Sequence, residues 1–109
     1  DSLTKEHLRQ CGIGDDVNTV VIGLEHNPEW NKLFDGSNAE ADMAVVEKEI
    51  VGTVKDEVAK HPEIGAIVLE CTDLPPFAQT LRKELGMPVF DFNSMISHMA
   101  MAISEMTNY

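Results

Sequence analysis

The sequence predicts an α/β fold: a small, mostly parallel sheet flanked by helices as a three-layer sandwich. Two runs, residues 18–24 and 65–71, contain apolar residues at consecutive positions, which is typical of strands buried on both faces of a parallel sheet. Helical patterns lie before, between and after these runs, and this alternation favours right-handed parallel crossovers. With 109 residues, the chain fits a single domain, 1–109.

The first part of the chain predicts a helix, a strand and a short helical turn. Ser2 or Thr4 can cap the first helix, which ends near Gly12. The strand at 18–24 is rich in β-branched residues and ends before a proline, and one helical turn is predicted at 28–34.

A long helix is predicted over residues 39–60, with Asn38 as its N-cap and His61-Pro62 at its end. Gly52 weakens its interior by about 1 kcal/mol, so we expect close packing against a strand there. The apolar residues of this helix recur at spacings of three and four and form one stripe: Met43, Val46, Ile50, Val54 and Val58.

The second half predicts strand, helix, strand and helix. The strand at 65–71 leads into a helix that Asp73 can cap and that ends at Gly86. A third strand follows at 88–92 and a last helix at 93–106. That helix carries an apolar stripe, which faces either the core or a partner: Met95, Ile96, Met99, Ile103 and Met106. Because three strands make a thin sheet, we expect either a longer parent protein or a homodimer.

Composition excludes several function classes. The net charge of −11 argues against nucleic-acid binding, and no apolar run is long enough to span a membrane. Cys11 and Cys71 lie 60 positions apart, without a CxxC pattern, and indicate free thiols in the cytoplasm. His7 and Cys11 have helical spacing, but no further ligand lies in register, so no metal site is predicted.

The strongest chemical signal is Cys71, at the carboxyl end of a predicted parallel strand, where ligands bind in such folds. The helix predicted to follow would present free N–H groups that favour a thiolate or a bound carboxylate. The Thr72 hydroxyl can bind the same carboxylate. The alternative is that Cys71 is only a small buried residue, as free cysteines often are.

These motifs resemble a known family. The stretch Gly65–Ala78 (GAIVLECTDLPPFA) and the stretch Gly86–Asp91 (GMPVFD) are similar to the C-terminal lobe of the aspartate/glutamate/hydantoin racemase family, with its Cys-Thr pair after a strand. The stretch Val20–Glu25 resembles an upstream strand of that family. The resemblance implies a two-lobed α/β protein without a cofactor, whose substrate is a small amino or carboxylic acid. It further implies that two cysteines act as acid and base on opposite faces of the α-carbon.

The resemblance assigns Cys71 as the catalytic thiol of one lobe, Thr72 as a substrate-carboxylate ligand and Asp73 as a further substrate-binding residue. Three positions depart from the family pattern. Cys11 does not match the other catalytic cysteine and is predicted to be structural. Glu70 replaces a glycine. Asp73 replaces a histidine or glutamate that assists the thiol, and can equally be a helix cap.

With one matched base, the chain alone is expected to be inactive or incomplete as a racemase. Two other functions remain open. The chain can be a non-catalytic interaction domain that uses its methionine-rich last helix. It can also be a single-thiol decarboxylase or isomerase of the same superfamily, because such a reaction needs only one proton donor.

Overall fold

The computed structural model describes residues 3–37, 39–104 and 106, and it divides the chain into two compact units, Asp1–Val54 and Lys55–Tyr109. The elements are α1 (Lys5–Gln10), α2 (Pro28–Asn31), α3 (Met43–Lys60), β1 (Ile67–Val68), a 3-10 turn (Pro75–Phe77), α4 (Ala78–Leu85), β2 (Val89–Phe90) and α5 (Phe92–Ser104). In the described ranges, no helix combines the length and the apolar character needed to cross a membrane.

Within these described ranges, the sheet consists of two parallel strands, with Ile67 opposite Val89 and Val68 opposite Phe90. This confirms a small α/β arrangement with a parallel sheet, but a three-layer sandwich is not shown. The strand predicted at 18–24 is wrong, because the described part of the first unit contains no strand to pair with it. Apolar patterning can make a segment extended, but a strand also needs a hydrogen-bonding neighbour.

Each strand of the sheet is buried on one face only. Ile67 and Val89 are 8% and 3% exposed, whereas their neighbours Val68 and Phe90 are 73% and 54% exposed. The prediction of strands buried on both faces is therefore wrong here, and side chains alternate between the core and solvent.

The first unit begins with a capped helix. Thr4 is the N-cap of α1, and its hydroxyl accepts a hydrogen bond from the backbone N–H of His7. The alternative cap, Ser2, lies outside the described residues. α1 ends at Cys11, and Gly12 follows with φ of +83°, a conformation that glycine adopts without strain.

Helix α3 begins at Met43, four residues later than predicted. The Asp42 carboxylate accepts hydrogen bonds from Ala44 and Val45 N–H at its start, and the predicted cap, Asn38, lies outside the described residues. α3 ends at Lys60, before His61-Pro62, as predicted.

The predicted apolar stripe of α3 is buried over its middle turns. Val46, Ile50 and Val54 are at most 5% exposed, whereas Met43 is 48% exposed. The close packing predicted at Gly52 is wrong, since a Cβ placed there meets no atom of another segment within 4 Å.

In the second unit, α4 packs its apolar side inward and ends as predicted. Leu81 and Ala78 are 0% and 1% exposed. Gly86 has φ of +64°, and its N–H donates to Arg82 O at 2.9 Å, which closes the helix end. The Arg82 guanidinium donates to Val89 O at 2.8 and 3.1 Å, so α4 is tied to β2.

Candidate functional site

Cys71 lies just beyond the carboxyl end of β1. Leu69 N–H donates to Phe90 O at 2.8 Å, so the pairing with β2 continues to the residue before Glu70. Asp91 directly follows β2 and therefore lies at the same edge of the sheet, because the strands are parallel. The predicted position of Cys71, at a carboxyl edge, is thus what the structure has.

The segment after Cys71 is a turn rather than a helix start. Leu74 N–H donates to Cys71 O at 3.2 Å, the 3-10 turn begins at Pro75, and α4 begins only at Ala78. The predicted helix N-terminus immediately behind Cys71 is therefore wrong. Pro75 and Pro76 also lack N–H groups, so the first turn offers fewer donors to an anion than an ordinary helix start.

Cys71 and Asp73 are brought together within this turn. The thiol Sγ donates to Asp73 Oδ2 at 3.8 Å, a distance suited to a weak hydrogen bond from sulfur. Asp73 does not cap the turn: the N-cap residue is Leu74, which makes no side-chain cap bond. The carboxylate is thus an acceptor for the thiol hydrogen.

Exposure differs among the predicted site residues. Cys71 is half-buried, while Thr72, Asp73 and Glu70 are exposed. A small molecule can therefore reach the Sγ atom and the Thr72 hydroxyl from solvent. Glu70 and Cys71 alternate in exposure, as expected for consecutive residues of an extended segment.

Cys11 is exposed at the C-cap of α1, in the first unit. The burial expected of a structural cysteine is therefore wrong for Cys11, because α1 contains no buried residue to pack against it. Its assignment as non-catalytic stays a prediction.

Asp91 is a buried carboxylate to which sequence analysis assigned no role. Its side chain is 3% exposed and lies 3.9 Å from the Arg82 guanidinium. Ser94 N–H donates to Asp91 Oδ1 at 2.6 Å, and Asp91 N–H donates to Ser94 Oγ at 2.9 Å. This reciprocal pair caps α5, and the three-residue spacing of Asp91 and Ser94 was the signal that could have revealed it.

Two polar features lie in the first unit. An open depression of about 490 Å³ lies between α1 and residues 13–19, and its Arg9 is already 3.3 Å from Asp15. Asn27 is buried, and its Oδ1 accepts from Thr53 Oγ1 at 3.1 Å, whereas its Nδ2 has no partner among the described residues.

Throughout the part of the chain that the structure describes, no group of three or more His, Cys, Asp or Glu side chains is arranged to hold a metal.

Comparison with known proteins gives one consistent result. The chain is 35% identical over 98 residues to dimethylsulfoniopropionate lyase 3 of Emiliania huxleyi (strain CCMP1516), covering 82% of this chain and 25% of that protein. It is 35% identical over 92 residues to dimethylsulfoniopropionate lyase of Durusdinium sp. clade D, covering 84% and 29%. Dimethylsulfoniopropionate lyase 6 of the first organism is 34% identical over 98 residues. The similarity is to dimethylsulfoniopropionate lyases.

These relatives overturn the resemblance stated above. Proteins similar to most of the chain are named lyases, so the identification as an aspartate/glutamate racemase and the racemase function are wrong. The Cys-Thr pair and the Pro-Val-Phe-Asp strand are short local patterns, and they do not define one reaction. The chain spans about a quarter of the length of these relatives. No protein-family model and no solved structure match it.

Proposed function

We propose that this chain is a segment of a dimethylsulfoniopropionate lyase and that it carries the group that removes the substrate proton. The observation behind this proposal is the similarity over 82–84% of the chain to proteins of that name. Because so much of the chain is covered, the aligned part spans residues 65–74 wherever it begins. The Cys71 turn therefore lies inside the similar region.

The reaction cleaves dimethylsulfoniopropionate into dimethyl sulfide and acrylate. A base removes a proton from the carbon beside the carboxylate, and that C–H electron pair becomes the new C=C bond. The C–S bond breaks, and its electron pair leaves with sulfur as neutral dimethyl sulfide. The proton stays on the base, and so one base is enough for the elimination.

Cys71 is the proposed base, because its Sγ is reachable from solvent and has an acceptor for its hydrogen at 3.8 Å. As a thiolate, it takes the substrate proton. Asp73 is proposed to orient the thiol and to accept its proton, which its exposed carboxylate can pass to water. Thr72 is proposed to donate its hydroxyl hydrogen to the substrate carboxylate, since it lies between the two on the same turn.

The test uses the natural protein that contains this chain. It is given dimethylsulfoniopropionate, and released dimethyl sulfide is measured in the headspace together with acrylate in solution. We expect both products in equal amounts. Cys71→Ser should lower kcat by roughly 10²- to 10⁴-fold, the usual contribution of a positioned base, whereas Cys11→Ser should leave kcat unchanged. Asp73→Asn should lower kcat and alter its pH profile, and Thr72→Val should raise KM.

The outcomes separate the two parts of this proposal. Absence of both products from the folded natural protein would overturn the lyase function. If the Cys71→Ser variant releases both products as fast as the natural protein does, the role of Cys71 is overturned but the lyase function stands.

A non-catalytic interaction domain is the second candidate, and the observation that favours it is α5, which has no buried residue. It predicts a folded protein that releases neither product and whose partner binding is unchanged by Cys71→Ser.

A homodimer, the three-layer arrangement and a cytoplasmic location also remain proposals. The last of these is supported by two free thiols, which are typical of reducing compartments.

A further inference from the structure

The second unit exposes two apolar surfaces that are adjacent along the chain. One is the open side of the sheet, where the paired residues Val68 and Phe90 are 73% and 54% exposed. The other is the stripe on α5, whose four residues are 46–59% exposed: Met95, Ile96, Met99 and Ile103. Only Asp91 separates β2 from α5. We refer to these six residues as the open apolar surface.

Such a surface is unusual on a finished domain. Parallel sheets are found with both faces covered, and two strands alone are marginally stable in water. Large apolar groups exposed on consecutive elements of the chain indicate an interaction site, and methionine suits such sites because its side chain adapts to a partner. The firm capping of α5 by Asp91 and Ser94 shows that the helix is well formed where its stripe remains uncovered.

We infer that the open apolar surface is covered by a further lobe of the same polypeptide, which contributes apolar side chains over β1, β2 and α5. The relatives provide the argument for this occupant, since the chain matches only 25–29% of their length. About three quarters of each relative is thus additional chain that is joined covalently and present at high effective concentration. The inference uses the lengths of these relatives and does not depend on lyase activity.

Methionine oxidation in the natural protein tests this inference, because Met101 serves as an internal control on the same helix. Met101 is 77% exposed and lies off the stripe, whereas Met95 and Met99 are 46% and 58% exposed. Hydrogen peroxide is applied to the native protein and to the same protein in guanidinium, and peptide mass spectrometry gives the rate at each methionine. We expect native Met95 and Met99 to react at least about tenfold more slowly than when unfolded, since oxidation follows exposure.

A pair of variants provides a second readout. Met99→Glu should lower the thermal unfolding midpoint of the natural protein by roughly 4 °C or more, and Met101→Glu should change it by much less.

Three results would overturn the inference. Met95 and Met99 could react at nearly their unfolded rates, or they could be protected only at concentrations where a dimer forms, which would make a second copy the occupant. The natural protein could also prove to be only the 12.0 kDa species.

Discussion

Glu29, in the first turn of α2, makes contacts whose strength depends on pH. Its carboxylate accepts the Asp42 N–H at 2.7 Å and lies 2.9 Å from the Lys32 ammonium. The Asp42 hydrogen bond, followed by the Lys32 contact, lowers the pKa of Glu29, and the same ion pair raises the pKa of Lys32. A carboxylate with a lowered pKa is more easily kept charged in the folded protein than in the unfolded chain.

The first prediction follows from the sign of this shift. The contribution of Glu29 to stability is present above its ordinary pKa of 4.5 and is lost as the pH falls through the lower folded value. Glu29→Gln should therefore reduce the loss of stability below about pH 4.5, as measured by urea unfolding at a series of pH values. Glu40→Gln is the matched control on an exposed carboxylate, and equal slopes for both variants would contradict the prediction.

The sequence was sufficient to place Cys71 at the end of a strand but not to identify the acceptor of its thiol hydrogen. A cysteine that ends an apolar strand before a proline-containing turn can be recognised from neighbouring residues alone. The sequence left Asp73 either as the cap of the next helix or as a substrate-binding residue beside the thiol, and the cap role depends on where that helix begins. The 3-10 turn begins at Pro75 with Leu74 as its N-cap, and the Asp73 carboxylate instead accepts a hydrogen bond from the Cys71 thiol.

Among the elements, α2 depends on a residue distant in sequence. It has four residues, too few to form a stable helix by itself. Its first N–H groups are bound by Glu49 of α3, whose Oε1 and Oε2 accept from Glu29 and Trp30, each at 3.0 Å. Trp30 is 7% exposed, and its ring packs edge-to-face with that of Phe34, with the ring centroids 5.0 Å apart. Glu49 thus holds the buried tryptophan in place.

Substitution of Glu49 should therefore destabilise the first unit. Glu49→Gln replaces one acceptor oxygen by an NH₂ group and leaves one partly buried N–H without an acceptor, at a cost of about 1–3 kcal/mol. Urea unfolding followed by Trp30 fluorescence measures this change. Asp56→Asn removes an exposed carboxylate from the same helix and should cost much less. Similar losses in the two variants would show that Glu49 contributes only its charge.

The helices were predicted better than the strands for a physical reason. A helix is stabilised by contacts three and four residues apart, so the ends of α3 at His61-Pro62 and of α4 at Gly86 could be read locally. The start of α3 was placed too early because Asn38 and Asp42 are both good caps. The segment 18–24 has the composition of a strand, but pairing depends on another segment.

At the scale of the whole molecule, the net charge of −11 sets a general repulsion among the carboxylates. Local ion pairs, such as Lys55 with Glu84 at 2.7 Å, offset part of it. Salt weakens both effects, and with 19 acidic against 8 basic residues the repulsion is the larger.

Moderate salt should consequently stabilise this chain. Raising sodium chloride from about 20 to about 200 mM, where screening lengths shorten to below about 10 Å, should raise the thermal unfolding midpoint. Calorimetry at constant pH measures it, and sucrose of equal osmolality is the control for effects unrelated to charge. A midpoint that falls with salt would mean that the ion pairs outweigh the repulsion.

The sequence alone determined the acidic character, the main helices with their C-terminal ends, and Cys71 at a strand edge. Each depends on composition or on residues a few positions apart. Only the tertiary structure decided that 18–24 pairs with no strand among the described residues, that Gly52 has open space beside it, and that α5 exposes its stripe. These properties depend on which distant segments pack against each element. Apolar patterning shows which face of an element favours burial, but it does not identify the segment that buries it.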